Sequence, residues 1–152
     1  DSHTEAQPNY MPDRFESGTP NLPGVYGLHV ALCELEREGL TWRQSREEEL
    51  LKRFLRGLDT IPGIRIIGTR DLARKIGVVS IDCTAVKDNA EVADRLANDF
   101  GILTRCGLHC APNAHKTLGT FPQGTLRLSP GYATTEKEID AAVAAIKIIS
   151  EG

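Results

Sequence analysis

The chain has 152 residues, 40% of them hydrophobic, which is one domain's worth and enough for a core that buries roughly two thirds of the unfolded surface. Lys and Arg number 18 against 21 Asp and Glu, a formal net charge of −3 with no block of like charge, which argues against a nucleic-acid partner. No apolar run approaches the roughly 20 residues needed to cross a bilayer and no charged-then-apolar leader opens the chain, so a soluble, cytoplasmic protein without a membrane partner is expected.

Residues 1–20 hold Pro8, Pro12, Gly18 and Pro20 and show no apolar periodicity, which predicts an extended arm ordered only by packing on something else. The polar start Asp1-Ser2-His3-Thr4, with Met11 the only methionine, suggests a processed chain, a trimmed one or a piece of something longer. From Asn21 the pattern changes. Pro23 suits a first helical turn, Val25, Leu28, Leu32 and Leu35 fall on one face, and Gly39 stops the helix. A second helix should run from Thr41 or Ser45 to Leu58, with Leu50, Leu51, Phe54, Leu55 and Leu58 inward and Arg46, Glu47, Glu48, Lys52, Arg53 and Arg56 on a solvated face.

After Pro62-Gly63 the period drops. Ile64–Ile67 and Val78–Cys83 are short and β-branched and read as two strands, with a hairpin around Asp71 to Gly77. Asp88 or Asn89 can cap a helix that carries Val92, Leu96 and Phe100 at four-residue spacing and stops at Gly101. Ile102–Arg105 is a third strand and Thr125–Ser129 a fourth, with a long polar loop between them. Thr135-x-x-Glu138 makes a capping box for a last helix striped by Ile139, Ala142, Val143 and Ile146. The sum is an α+β, two-layer fold: about four strands in a small mixed or antiparallel sheet, packed with helices on one or both faces.

Reactive groups concentrate between positions 105 and 129, where a loop on a rigid frame is a common home for function. Two of the four cysteines (Cys106 and Cys110, the others being Cys33 and Cys83) lie here, with two of the four histidines, Arg105 and Arg127. Without an export signal, four cysteines are read as free thiols. Cys110, beside His109 and near Arg105, is either a nucleophile whose thiolate is favoured by cationic neighbours or a small half-buried apolar residue. Arg127 offers a planar bidentate fork that fits a substrate carboxylate or, equally, a structural acid.

Other chemistry fits this loop less well. The 106/110 spacing matches neither a zinc knuckle nor the redox Cys-x-x-Cys, so no metal site is expected. Gly119-Thr120 and Gly124-Thr125 do not fit a P-loop and read as turns. His29 and Cys33, at i and i+4, read as core-edge packing.

Arg14-Phe15-Glu16-Ser17-Gly18-Thr19-Pro20-Asn21 followed by Gly-x-x-Gly-Leu at 24–28 resembles the approach to the small domain of class V aminotransferase-fold enzymes. Arg105-x-Gly107-x-His109-Cys110-Ala111-Pro112 resembles the active-cysteine loop of the cysteine desulfurase and selenocysteine lyase branch. Arg127-x-Ser129, then Tyr132-x-Thr134-Thr135-x-x-Glu138-Ile139-Asp140, is similar to the family's C-terminal strand and helix. The resemblance implies a homodimeric pyridoxal-phosphate enzyme of fold type I that turns cysteine into alanine and keeps the sulfur as an enzyme persulfide, with a sulfur-acceptor protein as a further partner. It implies Cys110 as nucleophile, Arg127 as carboxylate binder, and His109 and Arg105 as residues that tune or orient the loop.

The resemblance also implies an absence. The Schiff-base lysine, the acid facing the pyridine nitrogen and the glycine-threonine phosphate contact belong to the family's larger N-terminal part and have no match here. His115-Lys116 only echoes the cofactor motif, and Leu108 stands where some members of the branch carry histidine. Residues 1–20 are then an arm for the missing large domain and 21–152 the small domain, inactive and free of cofactor when alone. Relatives lacking the cysteine perform transamination or other lyase chemistry, and Cys110 argues against that reading. The alternative from another class is a stand-alone thiol-bearing sulfur carrier.

Overall fold

The computed structural model describes residues 6–16 and 18–152; the expectations for Asp1–Thr4 and for Ser17 in the Arg14–Asn21 motif lie outside the described residues. The chain divides into two units, Asp1–Leu40 and Thr41–Gly152.

In the first unit the backbone turns between Tyr10 and Phe15, with Arg14 N–H donating to the Tyr10 carbonyl (3.0 Å) and Phe15 N–H to that of Pro12 (3.0 Å). Helix α1 (Leu22–Glu38) begins where expected, because the Asn21 side chain accepts from Gly24 N–H (3.1 Å) and Pro23 occupies its first turn. It ends at Gly39, whose φ of 88° breaks the helical path. None of its residues is buried, and Val25, Leu28 and Leu32 of the apolar stripe are exposed.

The second unit is two-layered. Its four strands, β1 (Arg65–Ile67), β2 (Val79–Asp82), β3 (Arg105–Gly107) and β4 (Thr125–Leu128), form one sheet in the order β1-β2-β4-β3, and every neighbouring pair is antiparallel. Alternation of side chains sends Ile66, Val79, Ile81, Cys106, Leu126 and Leu128 to one face. There they meet Leu50, Leu51, Phe54, Leu55 and Leu58 of α2 (Leu40–Leu58), Val92 and Leu96 of α3 (Asn89–Phe100), and Ile139, Ala142, Ala145, Ile146 and Ile149 of α5 (Glu136–Glu151). The α5 capping box forms in full: the Thr135 hydroxyl accepts from Glu138 N–H and the Glu138 carboxylate accepts from Thr135 N–H (2.7 Å).

Four differences from the sequence expectation have physical causes. The third strand lies at 105–107 rather than 102–105, because Gly101 adopts the left-handed conformation (φ 68°) and Ile102 N–H returns to the Leu96 carbonyl (2.8 Å), keeping Ile102 in the end of α3. Phe100, which shares the four-residue spacing of Val92 and Leu96, is 37% exposed on the last turn of α3 while those two are buried. The polar loop contains a helix, α4 (Pro112–Leu118), started by Pro112 and stopped by left-handed Gly119. Arg46 and Arg53 do not simply face water: Arg53 makes a bidentate pair with Asp140 (2.6 Å each) and reaches Glu136 (3.1 Å), and Arg46 also meets Glu136 (3.3 Å), tying α2 to α5.

Candidate functional site

The second face of the sheet carries polar residues. In the register Ile67–Ser80–Arg127–Arg105, one side chain from each strand falls on the same row, and Arg65, Asp82 and Thr125 occupy the next. Arg105 and Arg127 are thus direct cross-strand neighbours, the arrangement that like charges normally avoid. Arg105 is exposed and Arg127 half-buried. Among the described residues no hydrogen bond or ion pair engages either guanidinium. The structural-acid reading of Arg127 is therefore not met, and two cationic forks stand side by side toward solvent. Arg65, by contrast, is answered by Asp82 (2.8 Å).

Beyond β3 the chain makes a tight turn, with Ala111 N–H donating to the Leu108 carbonyl (2.9 Å). At its centre His109 and Cys110 both have positive φ (52° and 60°), a conformation that costs a residue with a side chain on the order of 1–2 kcal/mol. The turn leaves Cys110 exposed, so the half-buried apolar reading is not met. The His109 side chain folds back over Arg105: its Nε2 donates to the Arg105 carbonyl at 3.1 Å. Burial lowers the His109 pKa below the ordinary histidine value. The bond to Arg105 opposes this, and the Arg127 and Arg105 guanidiniums and His115 reinforce it. His109 is therefore the neutral, Nε2-protonated ring near pH 7, and the positive charge at the site belongs to the two arginines.

The four predicted site residues, Cys110, Arg127, His109 and Arg105, thus belong to one neighbourhood: the arginines pair across β3 and β4, and His109 links them to the cysteine turn. The remaining thiols differ. Burial, with Asp82 adding to it, pushes Cys83 up to about 12, and burial also raises Cys106. Cys33, on α1, is exposed with its Sγ 3.7–3.8 Å from the His29 ring nitrogens, not at the core edge. Among the described residues no group of three or more His, Cys, Asp or Glu is arranged to hold a metal ion.

Sequence reasoning missed His115. In the sequence it stands out only as part of a His-Lys echo, yet it is buried (6% exposed), bonded through Nδ1 to Thr120 Oγ1 (2.7 Å), with its ring centroid 6.0 Å from that of His109. Pro112 and Gly119, as start and stop of α4, were the signal available. Asn89 was expected only as a cap. It is 2% exposed, accepts from Cys83 N–H (2.8 Å) and donates to the Gly124 carbonyl (3.4 Å), pinning β2 to the strand that bears Arg127. Gly124 (φ 76°) must be glycine, since a Cβ there would lie 2.2 Å from the Gly107 carbonyl group. A separate cleft of about 510 Å³, lined by Phe100, Leu103, Leu128, Pro130 and Ile139, includes none of these site residues.

The family model for aminotransferase class V matches residues 2–142. A probable cysteine desulfurase of Mycobacterium leprae is 36% identical over 141 residues, which is 93% of this chain and 22% of that protein. Among solved structures, the apo cysteine desulfurase of Thermococcus onnurineus NA1 aligns with a TM-score of 0.84 at 34% identity, over 93% of this chain and 34% of that one. A cysteine desulfurase of Escherichia coli in an S-sulfonic acid form aligns with a TM-score of 0.80 at 31% identity, over 92% and 33%. The chain therefore spans between about a fifth and a third of the length of these relatives.

Proposed function

Because the chain belongs to the aminotransferase class V family, we propose that it is the C-terminal part of a pyridoxal-phosphate-dependent cysteine desulfurase, supplying the sulfur-accepting thiol and the carboxylate clamp. Cys110 is the acceptor. Its thiolate bonds to the sulfur of bound L-cysteine while the substrate's carbon–sulfur bond breaks, the carbon gains a proton, and the products are L-alanine and a Cys110 persulfide. The substrate sulfur is oxidised and its carbon reduced, so no outside oxidant is needed. Arg127 holds the substrate carboxylate in a bidentate grip, Arg105 adds to the cationic field, and His109 orients the turn.

Pyridoxal phosphate, as an electron sink, would make the carbon–sulfur bond labile. The reading places its cradle outside this chain, and two features of the described residues support that. No lysine lines the 510 Å³ cleft, and Lys116 is exposed on α4 with its ammonium 5.3 Å over the Phe121 ring. The cofactor is therefore assigned to the part of the relatives' length that this chain does not span, and the 152 residues alone are inactive. A homodimer, a cytoplasmic location, a separate sulfur-acceptor protein, and the division into an arm (1–20) and a small domain (21–152) complete the proposal.

The observation that carries it is the exposed Cys110 in a left-handed turn just after the strand that bears Arg105, with Arg127 as the cross-strand neighbour of Arg105 and, among the described residues, no acid paired with either guanidinium. In the enzyme that contains this chain, Cys110→Ala should abolish sulfur transfer from L-cysteine while the cofactor absorbance persists. Retained sulfur release would overturn the assignment.

A further inference from the structure

His115 is a buried titratable group for which the sulfur chemistry has no use. Its surroundings lead directly to the reactive turn. Its backbone N–H donates to the carbonyl of Ala111, the residue after Cys110 (3.2 Å), and its own carbonyl accepts from Thr120 N–H (2.9 Å). Its Nδ1 lies 2.7 Å from Thr120 Oγ1, and Thr120 is itself 4% exposed. On its other side is the His109 ring, tilted 40° to it.

Two successive residues with side chains in the left-handed region persist only where the surroundings over-determine them. The restraints here are the Ala111-to-Leu108 backbone bond, the His109 side chain on the Arg105 carbonyl, and the packing of His109 on His115. A carbonyl oxygen only accepts, so the second restraint exists only while His109 Nε2 carries a proton and the ring keeps its orientation.

We propose that His115 is a positioning residue for Cys110: anchored to Thr120, its ring backs His109 and holds the His109 Nε2–H on the Arg105 carbonyl, and this strut keeps the left-handed turn that presents the thiol. The groups that face His109 are Arg105 from β3, Arg127 from β4 and His115 from α4; all three disfavour a charged ring, which keeps His109 a one-proton strut and leaves the arginines free for an anion. The inference rests on Cys110 being the reactive thiol, yet it concerns a turn that exists without substrate or cofactor.

The test is nitrogen-15 NMR of the His109 ring in the 152-residue chain, together with the pH dependence of Cys110 alkylation by iodoacetamide, in His115→Phe, Thr120→Val and Thr120→Ser. The original chain should show one neutral tautomer, protonated at Nε2, at pH 7. His115→Phe and Thr120→Val should mix the tautomers and move the midpoint of Cys110 alkylation, while Thr120→Ser, which keeps the hydroxyl, should restore both.

If His115→Phe fails to fold, the Thr120 pair decides. Variants that lower the melting temperature yet leave the His109 tautomer and the Cys110 profile unchanged would overturn the proposal, as would an original His109 protonated at Nδ1. Failure of Cys110 to carry sulfur in the intact enzyme would end the desulfurase reading without touching these spectra, so the two failures are distinguishable.

Discussion

Replacing Arg127 with methionine separates a structural guanidinium from a binding one. Methionine keeps most of the aliphatic stem on β4 and removes the fork and the charge. Arg127 has no ion pair or hydrogen bond among the described residues, and its cross-strand neighbour is Arg105, so the fold gives up no attraction and sheds a repulsion worth some tenths of a kcal/mol. Stability by urea denaturation should therefore change by no more than about 0.5 kcal/mol, with an increase as the more natural sign. Binding should respond in the opposite way. A charge-assisted bidentate contact to a carboxylate contributes on the order of 2–4 kcal/mol, so the L-cysteine requirement of the enzyme containing this chain should rise about 30- to 1,000-fold. Arg127→Lys, which keeps the charge but not the fork, should recover only part of the loss. A variant destabilised by about 1.5 kcal/mol or more with an unaltered substrate requirement would refute the reasoning and make Arg127 a fold residue.

Three further outcomes follow from the geometry. Asn89→Ala orphans the buried Cys83 N–H and should cost about 1–3 kcal/mol in denaturant unfolding; a neutral result would contradict the role of Asn89 in fixing β2 beside β4. Burial of Asp82 works to raise its pKa but is outweighed by the hydrogen bonds from Arg65 and Thr84, so the folded value is depressed. Its contribution should be present above about pH 4, the ordinary aspartate range, and lost as pH falls through the folded value, and Asp82→Asn should flatten that part of the stability-versus-pH curve. Peptide mapping after timed alkylation should find Cys110 and Cys33 modified first, Cys106 later, and Cys83, pushed up to about 12 by burial, only on unfolding.

The elements that could be read from the chain were those in which local rules and packing agree. Asp88 and Gly101 bracket α3, Thr135 and Glu138 open α5, and the alternation in Val79–Asp82 and Thr125–Leu128 matches a sheet with one apolar face. The misplaced third strand shows where local rules fall short. Ile102-Leu103-Thr104 has strand propensity, but the α3 end captures Ile102, and pairing with Leu126 and Arg127 draws the strand two or three residues onward. α4 was hidden because seven residues, three of them His, Lys and Thr, carry no apolar stripe of their own. The chemistry of the site residues was visible as residue types. Their juxtaposition was not, because Arg105 and Arg127 become neighbours only through the β3–β4 register, and His115 joins them only through the turn that α4 closes.

The central claim is that sulfur from L-cysteine arrives on Cys110 and on no other thiol of the chain. Peptide mass spectrometry of the cofactor-loaded parent enzyme, trapped with an alkylating reagent after one turnover, tests it directly. The peptide containing Cys110 should gain the mass of one sulfur atom in proportion to the alanine formed, with Cys33, Cys83 and Cys106 unmodified. Alanine formed in full with the added sulfur on another cysteine, or on none, would contradict it.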